Sequence, residues 1–396
     1  YEAYDYNILH ETFNYGIGAQ YMINKGNYIT ADCYADHFSS SYCFFKDNKT
    51  YNGKAGEEQV RKRTRNHNLS IKGIFKLGNR HKLSVGTEYI VDVLKSQTDN
   101  IAKEDAYTLA LFAQDEIKLL RNLQALIGVR YIYHENFKNH ATPNVALMYK
   151  PGKFNFRASY AAGFRTPTLS ELYATDIAKK NDRLTIGNLD LKSEKNNYFS
   201  LSAEYVHERF SVSVNAFYNN IRDMIDYNTI ATGDKAMEQY GHKEVRQRDN
   251  IAEAKVHGIN VSANAYLGAG FNLSGGYTHL NTQDVELEQP IDKSIKNAYN
   301  INAQWAHSWK IYRLNINLNG RINSKRFSKS YGYAPEYQLW NLNTRHSFNL
   351  KSVIIEPGCG MENLFDYMDD RPYNSNYATL TPGRSFYISL SLKFKS

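Results

Sequence analysis

The feature that most constrains this chain is a strict period-two alternation of apolar and polar residues that recurs along its length. Phe210, Val212, Val214, Ala216 and Tyr218 interleave with Ser211, Ser213, Asn215 and Phe217. Ile259, Val261, Ala263, Ala265 and Leu267 interleave with Asn260, Ser262 and Asn264, and Leu314, Ile316 and Leu318 with Asn315, Asn317 and Asn319. The C-terminal stretch repeats the pattern, with Phe386, Ile388, Leu390, Leu392 and Phe394 set against Tyr387, Ser389, Ser391 and Lys393. Successive side chains of a strand point to opposite faces, so each such strand has one apolar and one polar face. A parallel sheet buried on both sides does not read this way, which leaves an antiparallel sandwich or a barrel.

The connections separate those two. Tight turns are read near Asn24–Asn27, Gly78–His81, Leu119–Asn122, Lys150–Lys153, His207–Arg209, Gly268–Gly270, Ser308–Lys310 and Asn349–Ser352. Longer polar segments lie between them, near 42–61, 94–105, 134–140, 165–192, 227–250, 281–293, 325–336 and 367–383. Short and long connections thus alternate, a rhythm that a sandwich does not require and an outer-membrane barrel does. The fold class expected is all-β, a transmembrane antiparallel β-barrel, with the polar face lining the lumen and the apolar face meeting lipid. Eight turns and eight loops join 17 strands. An antiparallel barrel closes on an even number, so 17 leaves the seam unpaired and implies an odd number of further strands before residue 1.

Bulk properties are compatible with this. No run of 18 apolar residues is present, so a transmembrane helix is excluded. The 32 tyrosines suit strands whose ends meet the membrane interface, where aromatic girdles form. The net charge of +8 is scattered among acidic residues, and only Arg61-Lys62-Arg63 with Arg65 forms a basic cluster, so no nucleic-acid partner is expected. The three cysteines, Cys33, Cys43 and Cys359, have no metal-ligand spacing. They are read as free thiols, with a Cys33–Cys43 bridge left open. The opening YEAYDYNILHE has no basic segment followed by an apolar core, so no signal peptide is read and the chain is taken as mature, processed or partial.

With a barrel argued, the loop motifs acquire a resemblance. Gly163-Phe164-Arg165-Thr166-Pro167-Thr168-Leu169-Ser170-Glu171-Leu172-Tyr173 resembles the "FRAP" box of TonB-dependent outer-membrane receptors. Gly187-Asn188-Leu189-Asp190-Leu191-Lys192-Ser193-Glu194-Lys195 resembles their "GNPNLKPEK" box, with Leu189 and Ser193 standing where that box has prolines. Met361-Glu362-Asn363-Leu364-Phe365-Asp366 is similar to their "VENLFD" strand, and Gly383-Arg384-Ser385-Phe386 to their terminal signature, here followed after Phe394 by Lys395-Ser396. The resemblance spans nearly the whole chain. It implies a single domain, residues 1–396, that is the partial barrel of a receptor of about 22 strands, with about five strands and an N-terminal plug outside the chain.

What the resemblance implies about function is transport without catalysis, in a multi-pass protein of the bacterial outer membrane. Such receptors take up scarce, bulky ligands such as ferric siderophores, haem or cobalamin at the extracellular loops, driven through TonB, which engages the plug. No permanently bound cofactor or metal is expected; the transported iron chelate, haem or corrinoid is the small-molecule ligand. The other partners expected are TonB, outer-membrane lipid and, as an option, a surface lipoprotein. The box residues Phe164, Arg165, Pro167, Glu171, Leu172, Gly187, Asn188, Leu191 and Glu194, with Glu362, Asn363, Leu364 and Phe365, are read as structural, because the boxes recur in receptors with different ligands. Arg165 is also kept as a ligand contact, together with Tyr173, His242, Arg326, Tyr331, Tyr333, Arg371, Tyr373 and Tyr377, whose rings and charges suit an anionic or catecholate chelate. Haem receptors with these boxes place a histidine between them, and 165–192 has none; His242, His140 and His279 are the substitutes available. Asp369-Asp370 does not have calcium-loop spacing. An outer-membrane enzyme lacks support, since no GxSxG box is present. A passive porin does not account for the two loop boxes.

Overall fold

The structure is a computed structural model and describes residues 5–178, 182–328, 332–368 and 381–395. Its elements begin with β1 (Tyr6–Asn24), β2 (Asn27–Phe44), β3 (Glu58–Leu77), β4 (His81–Ser96), β5 (Ile101–Leu120), β6 (Leu123–His134), β7 (Lys138–Tyr149) and β8 (Phe154–Arg165). A loop lobe follows, made of α1 (Leu169–Tyr173), β9 (Thr175–Ala178) and β10 (Arg183–Ile186). Then come β11 (Glu194–Val206), β12 (Phe210–Thr232), α2 (Gly233–Tyr240), β13 (Glu244–Gly268), β14 (Phe271–Asp284), β15 (Asn297–Trp309) and β16 (Tyr312–Asn323). The hairpin β17 (Arg326–Ser328) and β18 (Gly332–Ala334) precedes β19 (Tyr337–Asn349), β20 (Val353–Glu362) and β21 (Ser385–Phe394). Leaving aside the short loop strands β9, β10, β17 and β18, 17 long strands remain among the described residues, as the alternation predicts.

The chain divides into two compact units. The first comprises Tyr1–Leu147, Tyr160–Asn197 and Ile221–Glu253. In it β1 to β6 pair antiparallel, each with the next. The β3–β4 ladder runs without a register shift from Lys62↔Ser96 to Leu77↔His81, so face parity is preserved throughout it. On β3 the odd-numbered residues Leu69, Ile71 and Leu77 are 48%, 45% and 54% exposed. They form the apolar outer stripe. The even-numbered face is polar and internally bonded: Asn66 Nδ2 donates to Asp92 Oδ1 at 2.8 Å. Leu69 to Leu77 is about 27 Å of strand, or about 20 Å of height at the usual strand tilt, most of the apolar band of such barrels. The whole of β3, with 20 residues, is more than twice that length, so its Glu58 end runs well past the apolar band.

The second unit comprises Met148–Ser159, Tyr198–Asn220 and Ala254–Ser396. There β13 to β16, then β19 to β21, form one antiparallel ladder. Its polar face is self-satisfied too, with Asn302 donating to Asn317 at 3.0 Å and Asn319 donating to Asn317 at 2.8 Å. Aromatic rings gather at the tight-turn ends: Trp309 stacks on Tyr312 at 5.6 Å, and Tyr312 packs on Phe348 at 5.1 Å. This is an interfacial belt. The β13–β14 turn needs positive φ at Gly268, Ala269 and Gly270 (91°, 47° and 87°). At Gly270 a Cβ would stand 1.9 Å from the Ala306 carbonyl oxygen, so glycine is required there.

Cys33 and Cys43 both lie on β2, ten residues apart, or about 33 Å along one strand, and all three cysteines are free. The loop segment expected at 227–250 is shorter than read, because β12 continues to Thr232 and β13 begins at Glu244. The cause is β10, which adds in parallel to the start of β13 and holds it extended.

Candidate functional site

Among the described residues, the long-loop side of the first unit carries three buried apolar clusters, built around the segment between β8 and β11. Pro167 ends the strand alternation, and Thr168 then caps α1. The Glu171 amide donates to Thr168 Oγ1 (3.2 Å) and the Thr168 amide to Glu171 Oε2 (2.8 Å), a reciprocal capping box. The Glu171 carboxylate also accepts both terminal nitrogens of Arg165 at 2.8 and 3.2 Å. Arg165 Nε and Nη2 reach Glu194 at 2.9 and 2.5 Å. Glu194 in turn accepts the Ile225 amide at 2.8 Å. One guanidinium therefore ties the end of β8, the helix cap, the start of β11 and the second half of β12. Its pKa is raised, chiefly by the Glu194 bonds. For Glu171, burial acts to raise the pKa, but the Arg165 and Thr168 hydrogen bonds overcome it and hold the carboxyl below its ordinary value.

Beneath this latch, Leu172, Leu191 and Ile225 form one buried cluster, with Phe137 and Tyr173 against it. Leu94, Ile101 and Ala174 form a second, with Leu169 and again Tyr173. Each buried leucine contributes about 1.5–3 kcal/mol. Gly187 is required where the chain folds back: a Cβ there would lie 2.5 Å from the Leu172 carbonyl oxygen. The Gly187 amide donates to Ala174 O (2.7 Å) and the Asn188 amide to Glu171 O (3.0 Å). Leu189, at one of the family's proline positions, is 67% exposed. Ser193, at the other, is buried, with its hydroxyl 3.3 Å from His140 Nε2, and Phe164 stacks on the same imidazole at 4.4 Å. Asp99 fastens the far side: its Oδ2 accepts Ser170 Oγ at 2.9 Å and its carbonyl accepts the Thr175 amide at 2.7 Å. Burial, with Asp99 close by, raises the pKa of Asp176. The segment is thus a packed lobe.

Next to the lobe, β9, β10 and the first residues of β13 form a small sheet in which Arg183 pairs with Glu244 and Thr185 with Arg246. One face, Leu184, Ile186 and Val245, packs with Ala231 and Ala236 of the β12–α2 segment. The opposite face carries Arg183, Arg246 and Arg248. The Arg246 and Arg248 guanidinium carbons lie 4.5 and 3.5 Å from the centroid of the Tyr227 ring, and Arg248 donates to the Tyr227 hydroxyl at 2.7 Å. The only ion pair these three make among the described residues is a loose one, Arg246 to Glu244 at 3.7 Å. The Nε atoms of Arg183 and Arg246 are buried without a hydrogen-bond partner. Burial, with Arg183 beside it, lowers the pKa of Arg246. This ledge, with Arg246 and Arg248 at the Tyr227 phenol and Arg183 beside Arg246, has the charge and ring surface to accept an anionic, aromatic ligand. The alternation of Glu244, Arg246 and Arg248 was the available sequence signal, but the segment reads as loop until β10 pairs with it.

The residues expected to contact ligand are distributed unevenly. Arg165 is engaged by the two carboxylates above. Tyr173 is half-buried between two clusters, and burial raises its pKa, with Glu104 and Glu135 adding to the effect. His242 is bonded to Asp182 at 2.9 Å, and this bond lowers the aspartate's pKa. In the second unit Tyr333 is 58% exposed on the β17–β18 hairpin, with its ring against Phe327 at 5.3 Å, while Arg326 Nη2 is buried without a partner. His279 is bonded to Asn297 at 2.8 Å. Tyr331, Arg371, Tyr373 and Tyr377 lie outside the described residues. Among the family-box residues near the C-terminus, the Asn363 side chain is 4% exposed and donates to the carbonyls of Tyr367 (2.7 Å) and Pro382 (3.0 Å) while accepting the Tyr367 amide (2.8 Å). The Leu364 amide donates to Trp340 O at 2.7 Å, Phe365 meets the Trp340 ring edge-on, and Glu362 pairs with Ser385.

Such strands, turns and loop lobe define an all-β, antiparallel fold of the barrel type. The profile of the TonB dependent receptor-like, beta-barrel family matches residues 2–364, and the chain belongs to that family of transport receptors. Among curated relatives, the ferric enterobactin receptor of Pseudomonas aeruginosa is 23% identical over 372 residues, covering 80% of this chain and 49% of its own length. The chain therefore spans about half the length of this relative. A solved structure of a ferric enterobactin receptor mutant from P. aeruginosa superposes with a TM-score of 0.79 at 18% identity, covering 98% of this chain and 62% of that one. The ferric preacinetobactin receptor of Acinetobacter baumannii gives a TM-score of 0.68 at 14% identity, covering 98% and 63%. At these identities the structural likeness establishes the fold, which is consistent with an outer-membrane protein that crosses the bilayer by strands.

Proposed function

We propose that this chain is the barrel of a TonB-dependent outer-membrane receptor that binds a ferric siderophore at its extracellular long-loop side and imports it to the periplasm. The observation that carries this reading is the Arg183–Arg246–Arg248 ledge around Tyr227, where cations with few counter-charges adjoin an aromatic ring. Ferric chelates with anionic, aromatic arms match that surface. The relatives named for ferric enterobactin and ferric preacinetobactin, one of them solved in complex with enterobactin, support the same ligand class. Haem is the weaker alternative, since His242 is engaged by Asp182 and 165–192 contains no histidine; cobalamin has no feature in its favour here. TonB, contacted through a plug, is the proposed source of energy, and a surface lipoprotein remains an optional partner. The test is uptake of radiolabelled ferric chelates by iron-starved cells expressing the receptor, with and without TonB. Accumulation that vanishes without TonB is expected. Uptake that survives its loss refutes the receptor reading in favour of a porin.

A further inference from the structure

The basic cluster at Arg61-Lys62-Arg63 has no part in the ledge, and a β-bulge gives its first residue a separate place. In the β2–β3 ladder Ser40 pairs with Lys62 and Ser41 with Val60, so Arg61 is left without a partner across the strands. A bulge of this kind re-aims the side chain of the extra residue. Arg61 and Lys62, though adjacent in sequence, therefore line the same cleft of about 320 Å³, together with His10, Ser40, Tyr42 and Asp99. Lys62 shares strand parity with Asn66, so the cleft opens on the polar face, at the long-loop end of the first unit.

Three phenols meet at this arginine. Tyr6 comes from the start of β1, Tyr42 from the end of β2 and Tyr51 from the loop that joins β2 to β3. The Tyr6 and Tyr42 rings stack at 4.3 Å, and Tyr51 meets them edge-on at 5.6 and 5.1 Å. The three hydroxyls are hydrogen-bonded to one another in every pairing. The Arg61 guanidinium carbon lies 5.2 Å from the Tyr42 ring centroid and 5.3 Å from that of Tyr51. The loop holds Tyr51 firmly: its amide donates to Asn48 Oδ1 at 3.0 Å, and Asn48 and Gly53 exchange backbone hydrogen bonds at 2.8 and 2.9 Å. Gly53 sits so close to Phe44 that a Cβ there would meet the ring at 2.4 Å. The triad is preformed.

Ring packing alone does not require three hydroxyls to converge. Burial raises the pKa of Tyr6 and Tyr42, and the phenols beside them add to the effect, because ionised oxygens at this spacing repel one another. A multivalent cation among them reverses that logic, since coordination expels the ligand protons. Phenolate oxygen is a hard donor, and tyrosine is an established protein ligand of iron. Arg61 supplies the second half of the site. Its Nε is buried without a hydrogen-bond partner, its Nη1 donates to Gln97 Oε1 at 3.2 Å, and it makes no ion pair among the described residues. Lys62, by contrast, is paired with Asp99 at 3.7 Å. A trivalent ion on three phenolates is neutral, which leaves the Arg61 charge for one small oxyanion of the kind its fork suits.

We propose that Tyr6, Tyr42 and Tyr51 form a site for a bare ferric ion, bound through three phenolate oxygens, with a small oxyanion held between the metal and Arg61. Three O–H bonds give way to three O–Fe bonds, three protons pass to solvent, and the iron stays ferric. The site is separate from the Arg183–Arg246–Arg248 ledge, and it rests on the geometry of the phenol cluster rather than on the chelate reading.

The test adds ferric nitrilotriacetate and bicarbonate to the full receptor in detergent and follows the visible absorption that phenolate-to-iron charge transfer produces. One ferric ion per chain should bind with a new band. Ga3+, of equal charge and without such a band, should bleach it, whereas Zn2+, which favours nitrogen and sulfur donors, should not. Tyr51→Phe should weaken iron binding by at least about 100-fold, since losing even a partner of a metal ligand costs about 10–100-fold. R61Q should weaken it by about 10–100-fold in bicarbonate and change little without it. Tyr107→Phe, which breaks a different bonded phenol pair with Tyr133, should bind iron as wild type does. Thermal unfolding of the metal-free variants separates loss of the site from loss of the fold. Absence of the band, its persistence in Tyr51→Phe, an equal loss in Tyr107→Phe, an R61Q defect that ignores bicarbonate, or competition by Zn2+ overturns the proposal. Failure of chelate uptake with the band intact counts against the transport reading alone, and uptake without the band against this site alone.

Discussion

At the scale of single residues, the loop lobe depends on Arg165, whose guanidinium bonds two carboxylates that each serve a second purpose. Glu171 caps α1 and Glu194 holds the Ile225 amide, so charge and backbone satisfaction are coupled at one point. That coupling has a sign in pH. Glu171 has a depressed folded pKa, so its contribution is complete above the ordinary value of 4.5 and is lost as pH falls through the depressed value. Asp176, raised by burial and by Asp99, acts in the opposite sense: relative to its ionised form it favours the fold at low pH and is penalised as pH rises through its folded pKa. Acid loosening of the lobe is therefore expected to come from Glu171. Protease cleavage within 165–194 should increase as pH falls below the ordinary carboxyl value of 4.5 and through the depressed Glu171 pKa in the wild type. E171Q should be cleaved faster at neutral pH and show a flatter acid limb; an identical pH profile in E171Q would assign the acid response elsewhere. The exposure of Arg165 keeps the energetic share of this pair modest, about 0.2–1 kcal/mol after solvent screening.

Elements fold here by two different rules. The long strands obey local alternation, which is why Phe154–Arg165 and Phe210–Thr232 could be traced to within a few residues at their tight-turn ends from composition and turn residues. The lobe obeys apolar packing in the ordinary globular sense, with Leu172, Leu191 and Ile225 meeting from three separate segments. Its helix carried a local signal that the motif reading passed over, since Thr168-Leu-Ser-Glu171 is a capping-box signature. The ledge was not legible, because it arises when β10 pairs in parallel with a distant strand start, and no local pattern encodes a partner. Likewise Arg165 reads as a ligand contact or as a scaffold residue until Glu171 and Glu194 are seen around it. If the lobe is a cooperative unit, Leu191→Ala should cost it about 2–5 kcal/mol. Hydrogen exchange should then quicken together at the Gly187, Asn188 and Thr175 amides while those of β3 and β4 remain protected. Acceleration confined to residues beside position 191 would show the lobe to be several independent loops.

For the molecule as a whole, β1 and β21 each have one pairing partner among the described residues, β2 and β20 respectively, and each is exposed along nearly its whole length. An unpaired strand edge is costly in hydrocarbon. The length of the first unit's strands has a practical consequence through the two thiols of β2. Cys33 sits opposite Leu69, where the apolar stripe ends, and Cys43 sits opposite Glu58, far beyond it. The protein thus carries a native depth gauge. With Cys359 replaced by serine, a fluorophore on Cys33 should be quenched by probes attached to acyl chains and one on Cys43 by aqueous iodide. Equal quenching of both by one kind of probe would place the waterline at a different height on the strand. Because the gauge needs no engineered site in β2, it can report the vertical position of the strand under any solution condition.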